Sequence, residues 1–590
     1  MCGIAGLMST DAAQPNPALL DGFVRALSHR GPDGEGRYEV PGVGLVQTRL
    51  AIIDLSTGDQ PLFGENGTAL VANGEIYNYL ELKPALSGFP FKTHSDCEVP
   101  LAAYARDGAD FAQTLRGMYA IALHDARDRA LYLARDPFGI KPLYYAEYSG
   151  GIVFASELQA ILKSRLLAPR IRTSTATELV QLQFTTGRET IFEGIHRVAP
   201  GETLILRGGH IVGRRQKQAL PQGAPLRIGE TEALKVLDAA LMDSVAVHQR
   251  SDVPYGMFLS GGIDSAAVLA CMARLNEKPV RAFTAGFPAT AAHDEREGAR
   301  RIAQSVGAEH VEISVSERDL WSHLPAIAAA MDDPAADYAV LPTYMLAAEA
   351  AKELKVVLTG EGGDELFAGY GRYRSALRSP FLGGRPMRRR GFLEGLDVLR
   401  DSSRQWRSGI AAAERRLSIG TYTRLQQAQA LDCADWLPND LLLKVDRCLM
   451  AHGLEGRTPL LDPIVADFAF RLPDGLKIEK GRGKYLLRRW LQDALPASDP
   501  FAEKRGFTVP VGEWIQPHAA RLAAPVSCSS GIAEICHPEK VGALFHAFGA
   551  RGGKHEAIAC WQLLFYGLWH AIHVERRPVV DDVFAMLERT

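Results

Sequence analysis

The stretch VPYGMFL-SGGIDS-AAVLACMARL, residues 253–275, decides the fold of the larger part of the chain. An apolar run ends in the small residues of SGGIDS (260–265), and a helix-like pattern follows. Small residues where a strand passes into a helix let backbone N–H groups approach phosphate oxygens at the positive end of the helix. The hexapeptide is neither a Walker A sequence nor GxGxxG, and its alternative interpretation is a bare glycine turn. We expect a phosphate loop.

The sequence around this loop alternates between helical and apolar patterns. Apolar runs such as VRAFTAGF (280–287) and KVVLTG (355–360) separate helix-like stretches at 231–249, 265–275, 294–306 and 339–353. This alternation predicts an α/β domain, a mainly parallel sheet with helices on its faces. Beyond residue 400 the pattern is mainly helical, so we expect a helical C-terminal part.

The first 200 residues differ, since short β-rich runs such as VGLVQTRLAIIDL (43–55) are separated by Gly, Pro and Asn turns. Helical patterns intervene at 16–27, 97–106 and 157–164. Gly, Pro and basic residues dominate RGGHIVGRRQKQALPQGAPLRIG, which has little apolar periodicity. We therefore expect an N-terminal domain at 1–205, a linker at 206–230 and a second domain at 231–590.

Composition excludes several classes of protein. The 590 residues hold 66 Lys and Arg against 69 Asp and Glu, a formal net charge of −3, so no basic excess favours nucleic acid. Hydrophobic residues make up 47% and charged residues 23%, as in soluble globular proteins. Eight cysteines without CxxC spacing argue against a disulfide scaffold or a structural zinc site. Without a recognisable signal peptide, we expect a cytoplasmic protein.

Two further segments need an interpretation. AIACWQLLFYGLWHAIHV (557–574) lacks charged residues but carries Gln562, His570 and His573. We interpret it as a buried C-terminal helix, with membrane contact as the alternative, and expect no membrane partner. The segment FLGGRPMRRRGF (381–392) is basic and rich in glycine, and we expect a mobile loop there, with a solvated surface turn as the alternative.

Cys2 is a candidate nucleophile because removal of Met1 would leave it with a free α-amine. An α-amino group has a pKa of about 7.7–8.0 and a thiol one of about 8.5, so this amine can act as general base for its own thiol. One residue would then supply both nucleophile and base. A lone cysteine at position 2 is weak evidence by itself, and the surrounding motifs decide its interpretation.

The first half of the chain resembles the class II glutamine amidotransferases. The matching segments, in order, are Cys2-Gly3-Ile4, His29-Arg30-Gly31-Pro32-Asp33, Arg49 in RLAIIDL, Asn73-Gly74-Glu75-Ile76-Tyr77-Asn78 and Ser95-Asp96-Cys97-Glu98. The resemblance implies an α+β N-terminal-nucleophile glutaminase, a four-layer sandwich of two antiparallel sheets between helices. In that fold the cysteine attacks the side-chain amide of glutamine.

The resemblance also implies roles for these residues. Attack on an amide forms an oxyanion, which the Asn73 side chain and the Gly74 N–H would stabilise. Arg49 would bind the α-carboxylate of glutamine, while Asp96 and Glu75 would receive its α-ammonium group. Taken singly, Asn-Gly is a hairpin turn dipeptide and Arg49 a surface ion-pair partner, so the ordered set carries the interpretation.

The SGGIDS loop resembles that of the ATP pyrophosphatases, which bind ATP so that AMP is transferred and pyrophosphate leaves. The positions that the resemblance assigns to ATP are Leu259, Ser260, Gly261, Gly262, Asp264, Ser265, Ala285, Thr359, Gly360 and Lys484. Ligands of open α/β sheets gather at the ends of strands, where most of these residues are predicted to lie. Lys484, in GRGKYLLR, would meet phosphate charge.

Acidic residues of KVVLTGEGGDELFAGY (355–370) complete the expected synthetase site. Asp264 and Asp364, from separate strand ends, could hold Mg²⁺ against the pyrophosphate. Glu361 would then serve the formation of an acyl-adenylate and act as base when ammonia attacks it. Taken singly, an acidic residue on such a turn is usually solvated. Arg457, in EGRTPLLD, and Glu361 are the candidates for the acceptor side.

Nearly the whole chain resembles the glutamine-hydrolysing asparagine synthetase family. That resemblance implies a carbon–nitrogen ligase of amino-acid biosynthesis, which turns L-aspartate, ATP and L-glutamine into L-asparagine through β-aspartyl-AMP, and a homodimer. Three departures from the family pattern are Ala266, Gly456 and Leu460. The alternative is a paralogue that adenylates a different carboxylate, of a peptide or a modified amino acid. A cyclase of the β-lactam synthetase kind, a sugar-phosphate amidotransferase and a glutamine or nucleotide sensor fit less well.

Overall fold

The structure is a computed structural model that describes residues 2–292, 294–378, 387–401, 403–418, 420–502 and 508–588. Its N-terminal part contains two six-stranded sheets, in the orders β10-β8-β9-β1-β3-β2 and β12-β11-β7-β6-β5-β4, with antiparallel pairing between neighbouring strands. The strands are β1 (Gly3–Ser9), β2 (Gly34–Val40), β3 (Val43–Arg49), β4 (Leu62–Phe63), β5 (Thr68–Ile76), β6 (Gly117–Asp125), β7 (Ala130–Arg135), β8 (Tyr144–Tyr148), β9 (Gly151–Ala155), β10 (Ile195–Arg197), β11 (Glu202–Arg207) and β12 (His210–Gln216). The helices are α1 (Pro17–Leu27), α2 (Tyr79–Ala85), α3 (Val99–Asp107), α4 (Leu158–Lys163) and α5 (Thr173–Leu182).

The alternation of side chains along the strands builds four layers. In β1, Ile4 and Met8 face the second sheet and pack in the cluster between the two sheets. Ala5 and Leu7 point the other way, into the cluster that contains Phe23 of α1. On the far side of the second sheet, strand residues pack against α3. The predicted sandwich of two antiparallel sheets between helices is confirmed.

The second part of the chain is built on a five-stranded parallel sheet of order β15-β14-β13-β16-β17. Its strands are β13 (Tyr255–Phe258), β14 (Arg281–Gly286), β15 (Glu309–Ser314), β16 (Val356–Leu358) and β17 (Glu455–Arg457). The helices up to β16 are α6 (Glu230–His248), α7 (Ile263–Leu275), α8 (Arg296–Ser305), α9 (Glu317–Ala330) and α10 (Val340–Ala350). The strand order reverses between β13 and β16, and open α/β sheets bind ligands at such a point. The predicted α/β domain is confirmed.

Beyond β16 the chain is mainly helical, as predicted. The helices are α11 (Gly363–Leu366), α12 (Gly371–Leu377), α13 (Ser408–Arg416), α14 (Arg424–Leu431), a π-helical segment (Asp432–Leu441), α15 (Leu442–Met450), α16 (Pro463–Arg471), α17 (Asp474–Lys477), α18 (Tyr485–Ala494), α19 (Val511–Ile515), α20 (Ala519–Ser527), α21 (Ser530–Ile535), α22 (Pro538–Arg551), α23 (Lys554–His573) and α24 (Val583–Glu588). The apolar stretch 557–574 falls almost entirely in α23, where Trp561 and Trp569 are fully buried. In the described parts of the chain, no helix has the length and apolar character needed to cross a bilayer.

The predicted linker is partly a strand in the structure, and part of the predicted mobile loop lies outside the described residues. The predicted linker, residues 206–230, overlaps a hairpin, because β12 pairs with β11 at the edge of the second sheet. An exposed edge strand tolerates basic residues and glycines, which is why its composition resembles a linker. We propose that the connection begins after Gln216. Residues 381–386 of the predicted mobile loop lie outside the described residues.

Candidate functional site

Cys2 lies directly before β1 and is held against β5 of the second sheet. Its backbone N–H donates to Asn73 Oδ1 at 3.2 Å. Asn73 belongs to β5, is fully buried, and its Nδ2 has no hydrogen-bond partner among the described residues. A buried amide donor left unpaired beside a thiol fits an oxyanion, because such a group otherwise loses its hydrogen bonds to water.

The Cys2 thiol is protonated at neutral pH in this environment. Burial raises its pKa above the usual value, while the positive amino terminus and the Leu50 N–H act in the opposite direction. Glu455 and Glu75 raise the pKa further. Because the thiolate is the nucleophile, a base has to remove the proton when the thiol reacts.

Three predicted glutamine-binding residues lie on or against the strands next to Cys2: Arg49 ends β3, Glu75 lies in β5, and Asp96 accepts from the end of β5. Arg49 Nη1 lies 2.6 Å from Asp59 Oδ1, and its Nη2 donates to the Asp54 carbonyl at 2.5 Å. Asp96 Oδ2 accepts from the Ile76 N–H at 2.7 Å, and burial raises the pKa of Asp96 to about 6. Glu75 is buried nearby, and its pKa is raised by burial and by Asp96. The structure therefore brings a cation and two carboxylates to the nucleophile.

Residues of the SGGIDS loop lie at the end of β13, where α7 begins. Ser260 Oγ and Ser265 Oγ are 2.9 Å apart, and the Gly262 N–H donates to Ser260 Oγ at 3.1 Å. The turn is thus fixed by its own hydroxyl groups at the N-terminus of a 13-residue helix. This is the arrangement that binds phosphate.

The Lys484 ammonium group forms ion pairs with both predicted metal ligands, Asp264 and Asp364. Its Nζ lies 2.6 Å from Asp364 Oδ1 and also bonds to Asp264. Burial alone lowers the pKa of Lys484, but the two carboxylates outweigh it and raise the pKa above its usual value. A Cβ at Gly369 would fall 1.8 Å from Asp364 Oδ1 and 2.2 Å from Lys484 Cε, so only glycine allows this approach.

Two carboxylates that converge on one cation fit Mg²⁺, which binds through one or two carboxylates and keeps several waters. Among the described residues no group of three or more His, Cys, Asp or Glu side chains is arranged for a metal ion. Asp264 and Asp364 thus supply two carboxylates of the kind that such a site needs.

The predicted adenosine contacts lie around the same strand ends. The Leu259 N–H donates to the Phe283 carbonyl at 2.8 Å, which holds the end of β13 to β14, the strand of Ala285. On the other side a Cβ at Gly360 would fall 2.8 Å from the Ser265 N, so the 359–360 turn packs directly on the phosphate loop. The predicted ATP residues therefore gather at the point where the strand order reverses.

Glu361 lies beside a buried lysine that the sequence interpretation left without a role. Burial raises the pKa of Glu361, Lys444 lowers it, and Asp337 raises it. Lys444 Nζ lies 2.8 Å from Asp337 Oδ2. Burial lowers the pKa of Lys444, but Asp337 and Glu361 outweigh it, so the lysine stays charged. A positive charge beside Glu361 suits an anionic acceptor.

Arg457, expected on the acceptor side, points its side chain toward the other domain. Its Nη2 lies 3.4 Å from Glu75 Oε1, and its Nε lies 2.6 Å from Glu455 Oε1. Only its backbone approaches the ATP site, since its carbonyl accepts from the Thr359 N–H at 2.8 Å. The alternation of side chains along β17 turns the guanidinium away from the strand end.

Arg30 is a second residue to which the sequence interpretation gave no role. Its Nε donates to the Cys2 carbonyl at 3.2 Å, while its other two nitrogens bind Asp446 of α15 at 2.8 and 2.9 Å. The sequence did carry a signal for this contact, because the charged residues Asp446 and Arg447 lie within the mainly apolar run LLLKVDRCLM (441–450). Charges in a buried helix indicate a partner on another element.

A protonated thiol beside an unpaired amide donor, together with a phosphate loop in the second domain, defines a two-domain, glutamine-dependent amidotransferase. The family comparisons agree, since residues 1–217 match the glutamine amidotransferase domain and residues 236–571 match asparagine synthase. The chain belongs to the asparagine synthase family.

Named relatives span almost the full chain. Asparagine synthetase [glutamine-hydrolyzing] 1 of Bacillus subtilis (strain 168) is 32% identical over 99% of this chain and 98% of its own. The putative asparagine synthetase of Mycobacterium tuberculosis (strain ATCC 25618 / H37Rv) is 34% identical over 98% of each chain. Asparagine synthetase B of Escherichia coli (strain K12) is 30% identical over 89% of this chain and 86% of its own.

Proposed function

We propose that the chain makes L-asparagine, using the amide nitrogen of L-glutamine and the energy of ATP. The observation that carries the proposal is that α15 supports both sites. On one side Asp446 holds Arg30, which donates to the Cys2 carbonyl. On the other side Lys444 lies beside Glu361. Ammonia released at the first site is volatile and mostly protonated in water, so two sites with a shared support suit its direct transfer.

Glutamine hydrolysis begins with transfer of the Cys2 thiol proton to the α-amine that removal of Met1 exposes. The thiolate attacks the side-chain carbonyl carbon of glutamine, and the amide oxygen becomes an oxyanion. Asn73 Nδ2, which is buried without a partner, and the Gly74 N–H are the donors for that oxyanion. Protonation of the nitrogen releases ammonia, and water then hydrolyses the thioester to L-glutamate.

The α-carboxylate and the α-ammonium group of glutamine are each bound by side chains of opposite charge. Arg49 presents its guanidinium to the α-carboxylate, which takes the place of the exposed Asp59 at Nη1. Asp96 and Glu75 receive the α-ammonium group. The pairing of opposite charges at both ends fixes the amide in front of Cys2.

In the second domain the phosphates of ATP lie on the 260–265 loop, with Lys484 beside them and the adenosine near Leu259, Ala285, Thr359 and Gly360. Asp264 and Asp364 would hold Mg²⁺, which neutralises charge on the leaving pyrophosphate when it is bound. The carboxylate of the acceptor attacks the α-phosphorus, which gives an acyl-adenylate and pyrophosphate. Ammonia then attacks the acyl carbon, Glu361 accepts its proton, and AMP leaves as the amide forms.

Lys444 supports a dicarboxylic amino acid as acceptor. Its charge, held by Asp337 at 2.8 Å, lies beside Glu361 and suits the second carboxylate of L-aspartate. A carboxylate of a peptide or modified amino acid stays the alternative acceptor. The relatives favour aspartate, because proteins named asparagine synthetases match almost the whole length of this chain.

A carboxylate screen tests the proposal. The full chain is incubated with ATP, Mg²⁺, L-glutamine and one acid at a time, and pyrophosphate and the amide product are measured. L-Aspartate is expected to give both pyrophosphate and L-asparagine. Pyrophosphate with another acid but none with L-aspartate would move the assignment to the alternative.

Two further expectations are part of the proposal. All eight cysteines are free, which supports a reducing compartment such as the cytoplasm. The homodimer implied by the resemblance stays a prediction, which the mass of the protein in solution would test.

We place the domain limits at about 1–216 and 231–588, with the family matches to residues 1–217 and 236–571 in support.

A further inference from the structure

Glu75 and Arg457 meet across the contact between the two domains. Glu75 belongs to β5 of the glutaminase sheet, and Arg457 ends β17 of the parallel sheet. Arg457 Nη2 lies 3.4 Å from Glu75 Oε1, and the side chains are 0% and 6% exposed. We propose that Arg457 is a positioning residue of the glutaminase reaction, which holds the Glu75 carboxylate for the α-ammonium group of glutamine. This inference rests on the proposed function.

The guanidinium of Arg457 is fixed through Nε and Nη1, while Nη2, which lies 3.4 Å from Glu75 Oε1, makes no hydrogen bond within the described part of the chain. Its Nε lies 2.6 Å from Glu455 Oε1. Its Nη1 donates to the carbonyls of His248 at 2.9 Å and Arg250 at 2.7 Å. These partners lie on β17 and at the end of α6, so two elements of the second domain aim Nη2 at the glutaminase site.

One oxygen of the Glu75 carboxylate is left to accept a hydrogen bond from a ligand. Its Oε2 is buried and has no hydrogen-bond partner among the described residues. An unpaired buried carboxylate oxygen is costly, and a bound ammonium group would satisfy it. Arg457 at Oε1 and the substrate at Oε2 would then share the carboxylate.

Arg457 also opposes the protonation of Glu75. Burial, Asp96 and Glu455 raise the pKa of Glu75, whereas Arg457 and the amino terminus lower it. The other titratable groups whose charge couples to that of Glu75 are Cys2, Tyr77, Tyr79 and Cys97. Removal of Arg457 would raise the pKa of Glu75 further and so favour its neutral form, which attracts an ammonium group less.

The side-chain contacts of Arg457 distinguish a role in the glutaminase reaction from a role in binding the acceptor carboxylate. The side-chain contacts of Arg457 are to Glu75, Glu455 and two backbone carbonyls, and its Cζ lies 5.8 Å from the centre of the Tyr77 ring. Its guanidinium thus serves the glutaminase side. Only the Arg457 carbonyl, which accepts from the Thr359 N–H, touches the ATP side.

Steady-state glutaminase kinetics of Arg457→Gln test the proposal. Glutamate release needs no acceptor, so the result does not depend on which carboxylate the chain adenylates. We expect the KM for glutamine to rise about tenfold at pH 7, as for the loss of one charge-assisted contact. We also expect kcat to change less than KM, because Arg457 acts on the binding of the α-ammonium group and not on the reacting amide. Arg521→Gln, on the surface, is the matched control.

A KM for glutamine within twofold of the wild type, or a loss confined to kcat, would overturn the proposal. So would an unchanged glutamine KM with a raised KM for L-aspartate in synthesis from free ammonia, which would return Arg457 to the acceptor. If Arg457→Gln does not fold, Arg457→Lys gives the test. It keeps the charge but loses the fork, so we expect a glutamine KM raised only a few-fold, and an unchanged KM contradicts the proposal.

Discussion

Arg30 and Asp446 form a two-pronged ion pair between the domains, with Nη1–Oδ2 at 2.8 Å and Nη2–Oδ1 at 2.9 Å. Both side chains are almost wholly buried, at 0% and 2% exposure. Glu157 adds a third contact, 2.8 Å from Arg30 Nη1. Since Arg30 Nε also donates to the Cys2 carbonyl, the pair fixes the residue that carries the nucleophile.

Removing one charge of this pair should destabilise the protein strongly. We expect Asp446→Asn to lower the free energy of unfolding by about 3 kcal/mol or more, because Arg30 stays buried with an incomplete set of partners. Urea unfolding followed by circular dichroism measures the effect. Glu588→Gln, which breaks the exposed pair with Arg521, is the control and should change stability by less than about 1 kcal/mol. Equal, small effects of both variants would contradict the prediction.

Cys2→Ala should separate the two half-reactions. Without the thiol, glutamine-dependent synthesis is lost, whereas synthesis from free ammonia continues because the second site is intact. Asparagine formed from glutamine and from ammonium chloride is measured side by side. If synthesis from ammonia disappears as well, the two sites do not divide the work as proposed.

Asn73→Ala should reduce glutaminase kcat by about 10²–10³-fold, since it removes a side-chain donor to the oxyanion. Asn73 also accepts the Cys2 N–H at 3.2 Å, so part of the loss comes from a less ordered nucleophile. Glutamate release under saturating glutamine measures kcat. A change confined to KM would assign Asn73 to substrate binding alone.

Glutamine binding should weaken in acid because Asp96 titrates with a pKa of about 6. Below that pH the carboxyl is neutral and no longer attracts the α-ammonium group, so the KM for glutamine should rise as the pH falls from 7 to 5. The folded-state pKa lies above the ordinary 3.8, so the folded protein binds more protons between the two values. This group's contribution to stability therefore falls as the pH rises through that window. Asp96→Asn should show a high KM without that acid dependence, and a wild-type KM that is flat from pH 7 to 5 would refute the assignment.

Glu361→Gln should leave glutamine hydrolysis intact and lose pyrophosphate release. The charges that act on Glu361 are those of Lys444 and Asp337 and of the two carboxylates of the second site, Asp264 and Asp364. Glutamate and pyrophosphate are quantified in the same reaction. Unchanged pyrophosphate output would remove Glu361 from the synthetase chemistry.

The sequence predicted both domain architectures and most strand positions, because apolar periodicity and the turn residues around SGGIDS are local signals. The candidate residues Cys2, Asn73 and Asp96, and separately Asp264, Asp364 and Lys484, lie together in the structure. Their specific functional roles stay predictions until the variants are measured.

The contact between the domains could not be predicted in the same way. Arg30 with Asp446, and Arg457 with Glu75, are hundreds of residues apart, and no local pattern states which charged residue meets which. The direction of the Arg457 side chain depends on the position of β17 in the sheet, which only the fold determines. The composition of β12 resembled a linker for a related reason, since an edge strand needs few apolar residues.

The loop between α9 and α10 has a consequence for protein engineering. Asp333 binds Arg197 of the glutaminase domain at 2.8 Å through both oxygens, and Asp332 lies 2.8 Å from Arg447 Nε. Trp561 and Trp569 of α23 donate to the carbonyls of Ala336 and Met331 in this loop. A chimaera that grafts a foreign glutaminase onto this synthetase would leave Asp333 buried without Arg197. Domain exchange between relatives should therefore succeed only when these matched residues travel together with the domain.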